Sequence, residues 1–142
     1  MAWIYEQKTG LLRHPNDDST CPGTANGPGA CDCVAKGYSG AEPDGKNNPA
    51  MESVPDVGPI PRGEYQIGVP HDTDSHGPFV MSLTPAPANE MFGRAGFLMH
   101  GDSVHAPGTA SRGCVILPRP IRERVWNSND HRLQVVEGPD AA

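Results

Sequence analysis

Long apolar runs are missing from this chain. The stretch nearest the start, Met1 to Tyr5, is followed by Glu6, Lys8 and Arg13, which leaves neither the apolar core of a signal peptide nor the length of a membrane span. No membrane insertion is expected. Aromatic residues make up 6% of the sequence and the formal net charge is -6, so the stacking platforms and the basic surface of a general nucleic-acid binder are both lacking. No nucleic-acid partner is expected either. Ile, Leu, Val and Phe supply only 24 of 142 residues, yet the charge imbalance is too mild to hold a chain of this composition expanded. One folded, loop-rich domain over residues 1–142 is the expectation.

What the chain does have is turn chemistry. It carries 17 Gly and 16 Pro, spread along its length with short β-type runs between them. Trp3 to Glu6 and Leu11 to Arg13 flank the polar turn Gln7 to Gly10 and read as a starting hairpin. From Pro15 to Gly58 there is almost no periodicity, only turn signals, which predicts a long surface loop. Five later runs read as strands: Glu64 to Val69, Phe79 to Thr84, Phe97 to His100, Cys114 to Leu117 and Arg132 to Glu137. Pro118 and Pro120 suit a helix start, and the spacing of Ile121 and Val125 predicts a helix to about Ser128 with Arg122, Glu123 and Arg124 facing water. The fold class is therefore mainly β, a small sandwich or barrel with one late helix, organised as a hairpin and loop-rich region over 1–57 and a core over 58–137.

Four cysteines lie at 21, 31, 33 and 114. The early three, even with His14, do not have the C-x2-4-C knuckle spacing of a zinc site, so no metal is expected. A disulfide from Cys21 to Cys31 or to Cys33 is the structural alternative in an oxidising compartment, and the spacing does not choose between them.

Cys114 is a different case. It follows a glycine where a strand begins, while His100 ends another strand. An imidazole that takes the thiol proton makes the sulfur a nucleophile, and a Gly113 turn without a Cβ lets backbone amides approach a substrate oxygen as an oxyanion hole. Asp102 either orients an imidazole or caps a turn; Ser111 either binds substrate or supports the turn. His105 competes as the base but sits in a loop where positioning is poorer.

His100-Gly101 followed by Ser111-Arg112-Gly113-Cys114 resembles the signature of the L,D-transpeptidase (YkuD-like) catalytic domain, and Gly58 to Tyr65 resembles that family's opening strand. With Tyr38-Ser39-Gly40, Asn47-Asn48-Pro49 and Asp102 added, the chain looks like the L,D-transpeptidase-like effectors of type VI secretion systems. The resemblance implies Cys114 as nucleophile, His100 as base, the Gly101 carbonyl as orienter of the imidazole, and the Gly113 and Cys114 amides around the oxyanion. It implies no cofactor. Many members carry His where this chain has Arg112 and Arg where it has Ile116, so Arg112 or Arg119 is left to hold the substrate carboxylate.

The same resemblance implies a substrate, the tetrapeptide stem of peptidoglycan, cut before its terminal D-Ala by hydrolysis or D-amino-acid exchange. It also implies a toxin made without a signal peptide in the producer cytoplasm, injected by the secretion machinery into a target periplasm, and blocked in the producer by a periplasmic immunity protein. Two other readings compete. A papain or NlpC/P60 type peptidase would use Cys31 or Cys33 at a helix start, and a non-catalytic wall-binding module would keep the fold without turnover.

Overall fold

The structure, a computed structural model, describes residues 2–14 and 33–138, with the backbone alone at 33 and 34. Its strands in chain order are β1 (Trp3–Glu6), β2 (Leu11–Arg13), β3 (Cys33–Lys36), β4 (Tyr38–Ser39), β5 (Gly63–Ile67), β6 (His71–Thr73), β7 (Gly77–Pro85), β8 (Leu98–His100), β9 (Val115–Ile116) and β10 (Arg132–Val136). A helix, α1 (Arg119–Asn127), lies between β9 and β10, and a 3-10 turn, Pro49–Met51, precedes β5.

These strands form one sheet in the order β3-β2-β1-β10-β5-β7-β8-β9-β4, with β6 added to β7, and it curls into a nearly closed, barrel-like shape. The mainly β class with one late helix is what the structure shows. Alternation explains the inward face. Tyr65 and Ile67 of β5, and Leu133 and Val135 of β10, point into the core two residues apart while Glu64, Gln66, Arg132 and Gln134 are exposed. Trp3, Met81, Met99, Val115 and Leu117 complete the same core with essentially no exposure. Each such side chain contributes about 1.5–3 kcal/mol on burial.

Two pairings are parallel, and both matter. β1 lies alongside β10, which ties the start of the chain to its end, and β8 lies alongside β9, with Met99 opposite Val115 and His100 opposite Ile116. β4 then pairs antiparallel with the other edge of β9, so β9 is held between β8 and β4.

The segment expected as one long loop from Pro15 to Gly58 is only partly so, because it contributes β3 and β4, and β6 was not expected as a strand. All three are short and take their conformation from a neighbouring strand rather than from local pattern. α1 spans the expected residues, with Asn129 at φ 65 ending it in the left-handed region that Asn tolerates. Arg122 is a correction: it is buried rather than facing water. Its Nε donates to Leu117 O at 3.0 Å, and its Nη1 donates to Pro78 O and Phe79 O at 2.8 and 2.7 Å. Phe79 itself sits at φ 55, a strained conformation for an aromatic residue, so Arg122 pins a kinked stretch of β7 onto the helix. No helix among the described residues is long and apolar enough to cross a membrane.

Candidate active site

The Cys114 turn is built from four segments of the chain. Gly113, at φ 137, places Cys114 just ahead of β9, and a Cβ on it would lie 2.5 Å from Arg94 Nη2 and 3.0 Å from the Phe97 ring. Glycine is required there to admit those two side chains. Beneath the turn the Ser39 hydroxyl donates to Gly113 O at 3.0 Å and accepts from the Ile60 N–H at 2.9 Å. Ser111 Oγ donates to Cys114 O at 2.6 Å and accepts from the N–H groups of Gly40 and Gly113 at 2.9 and 3.1 Å. Of its two sequence readings, Ser111 therefore follows turn support.

That last bond corrects one expectation. The Gly113 N–H, assigned to the oxyanion, already has Ser111 Oγ as its acceptor, and a committed donor is not free for a substrate oxygen. The Cys114 N–H is the amide of the pair that no side chain among the described residues claims.

His100 ends β8, and the β8–β9 register sets it diagonally from Cys114, across neighbouring strands. It is buried, with a relative exposure of 2%. Its Nδ1 lies 2.8 Å from Gly101 O, and because a carbonyl only accepts, Nδ1 carries the proton. Nε2 is buried and has no hydrogen-bond partner. Burial holds the imidazole below its ordinary pKa of 6.5, against the Gly101 bond, with His76 and Arg122 adding to the depression. The His76 ring, from the turn after β6, stands over it at 4.6 Å between centroids. A neutral ring with a free lone pair at Nε2 is the result.

The Cys114 thiol is raised above its ordinary 9.0 by burial, opposed by the Leu98 backbone amide and the charge of Arg94. Both shifts favour the uncharged forms, a thiol on Cys114 and a neutral imidazole on His100. A cleft of about 300 Å³ opens beside Cys114, lined by Asp56, Arg94, Phe97, Arg112, Gly113 and Cys114 among others. A separate cavity of about 400 Å³ lies over β5, β7 and β10 and touches none of the expected site residues.

The remaining candidates divide. Arg112 borders the cleft. Arg119 pairs with Glu123 at 2.9 Å and lies over the Phe79 ring, outside the cleft lining. Asp102 accepts from Tyr38 OH at 2.6 Å and from the N–H groups of Ser103 and Gly108, so it organises the loop after β8. Cys21 and Cys31 lie outside the described residues, and Cys33 opens a strand, not the helix that the competing peptidase reading requires. Among the described residues no cluster of His, Cys, Asp and Glu is arranged to hold a metal.

The family model of the Tlde1 domain matches residues 34–140, which takes in every side chain of this site. The chain belongs to the Tlde1-domain family. That family is one of type VI secretion effectors. Among curated proteins and among solved structures nothing matches the chain at a significant level. Within this Tlde1 domain, sequence reasoning missed Arg94, Arg122 and His76. Arg94 carried one usable signal, a lone arginine between glycines shortly before the His100 strand.

Proposed function

We propose that this Tlde1 domain is an antibacterial effector that acts on peptidoglycan stem peptides through an acyl-enzyme on Cys114, releasing the terminal D-Ala of tetrapeptides. The observation that supports the reading most is the His100 imidazole, neutral, fixed at Nδ1 and unpartnered at Nε2, one strand away from a thiol at a cleft.

In this mechanism Nε2 takes the Sγ proton as the sulfur attacks the carbonyl before D-Ala. The new oxyanion is met by the Cys114 N–H. The carbon–nitrogen bond then breaks, the proton passes from His100 to the departing D-Ala amine, and a thioester to the tripeptide acyl group remains. Water returns a tripeptide, a free D-amino acid returns an exchanged tetrapeptide, and an amine of a second stem forms a cross-link. The first two outcomes deplete the donors a growing wall needs, which is the toxic effect. An effector of this kind acts in the target periplasm, and an immunity protein that fills the cleft at Cys114 is its natural partner.

Incubation with purified disaccharide-tetrapeptide, followed by mass spectrometry, tests this. The wild type is expected to yield free D-Ala and tripeptide, and Cys114→Ala neither, with its fold checked by circular dichroism. Equal release by both proteins refutes the proposal.

A further inference from the structure

Arg94 is a buried guanidinium, 8% exposed, and four of its contacts are backbone carbonyls drawn from three segments. Nη1 donates to Glu52 O at 2.7 Å and Pro59 O at 2.8 Å; Nη2 donates to Gly58 O at 3.0 Å and Arg112 O at 3.1 Å. Carbonyls accept from both of its Nη groups but do not neutralise its charge. Among the described residues it forms no ion pair with a carboxylate. The nearby Glu52 carboxylate is taken by Arg62, at 2.6 Å, and by Gln7, and Asp56 is exposed at the cleft rim. A buried cation without a counter-ion is costly unless an anion joins it at some stage.

The group placed to become that anion is Cys114. Arg94 and Cys114 line the same cleft, the Arg94 Nη2 fills the space left by Gly113, and the same nitrogen holds the carbonyl of Arg112 two residues before the sulfur. We propose that Arg94 is the positioning residue of this site, tying the Cys114 turn, through the Arg112 carbonyl, to the Glu52 and Gly58–Pro59 backbone and supplying the standing positive charge that sustains the sulfur as an anion. It does not touch the substrate in this role.

The groups that face this pair are few. Tyr65, Asp56, Glu52 and Cys114 act on Arg94, the Leu98 amide and Arg94 act on Cys114, and His100 lies on the adjoining strand. Each of Arg94 and Cys114 favours the ionised form of the other. The inference rests on Cys114 being the reactive thiol of the proposed function, and its test uses no wall substrate, so the two fail separately.

The test is the alkylation rate of Cys114 by iodoacetamide in the full chain across about pH 6–11.5, read on the Cys114 peptide by mass spectrometry. In Arg94→Met the midpoint is expected to move up by about one pH unit and the rate at neutral pH to fall about tenfold. Arg94→Lys keeps the charge without the fork, so its midpoint is expected near the wild type even if it melts earlier. Unchanged midpoints in a folded Arg94→Met, or an Arg94→Lys midpoint as displaced as that of Arg94→Met, overturn the proposal. Should Arg94→Met fail to fold, Cys114→Asp and Cys114→Asn are compared with Arg94 intact. A higher melting temperature for the Asp variant at neutral pH is expected from a waiting positive charge, and an equal or lower one overturns it.

Discussion

At the scale of single residues, the proposed chemistry depends on two neutral groups, the Cys114 thiol and the His100 imidazole. His100 is competent as a base only while unprotonated, and its depressed pKa keeps it so at neutral pH. The acid limb of kcat/KM for D-Ala release is therefore expected below pH 6.5, the ordinary histidine value, and a limb above it contradicts the buried-imidazole account. His100→Ala is expected to lower kcat by about 10²–10⁴-fold with little change in KM, measured by the same release assay. Ser111 is a structural neighbour whose loss leaves buried N–H groups of Gly40 and Gly113 without an acceptor. Ser111→Ala is expected to cost about 1–3 kcal/mol in urea unfolding. Ser111 was legible in sequence as part of the Ser-x-Gly-Cys element, but the choice between substrate contact and turn support was not, because Gly40 reaches it from 71 positions away.

At the scale of elements, β9 is a two-residue strand whose placement is secured from outside: by β8, by β4 and by Arg122 at the start of α1. The two helix arginines separate this support from ordinary surface charge. Arg122→Ala strips donors from the carbonyls of Leu117, Pro78 and Phe79 and is expected to destabilise by about 2–3 kcal/mol. Arg119→Ala, which breaks an exposed pair with Glu123 and a distant contact over the Phe79 ring, is expected to cost under about 1 kcal/mol. Equal effects in urea titrations contradict the assignment. Helical periodicity located α1 and its apolar pair Ile121 and Val125, yet it assigned Arg122 to water, because the acceptors that draw the side chain inward lie on β7, remote in sequence. β1, β2 and the runs that became β5, β7, β8, β9 and β10 were legible from their alternation or apolar content; β3, β4 and β6 carry too little of either.

At the scale of the whole molecule, the parallel β1–β10 pair carries the sheet from its N-terminal strands onto the strands that lead to β8 and β9. Trp3, wholly buried in β1, packs against the His14 ring and donates from Nε1 to Ser128 Oγ at the end of α1. Trp3→Ala is expected to cost about 3–5 kcal/mol by thermal or urea unfolding, despite lying outside the stretch that matches the Tlde1 model. The sequence elements that marked the site, His100-Gly101 and Ser111 to Cys114, are those whose backbone geometry the proposed chemistry demands. The burial of Arg94, hinted at only by its place between glycines, and the covering ring of His76 were not legible, since only the nearly closed sheet brings them there.

The most direct test of acyl transfer at Cys114 is the intact mass of the protein quenched during turnover of a tetrapeptide stem, with the modified peptide located by fragmentation. The account predicts an adduct of the substrate acyl group less D-Ala, on the Cys114 peptide and absent from Cys114→Ala. An adduct on another residue, or undiminished D-Ala release by folded Cys114→Ala, contradicts it.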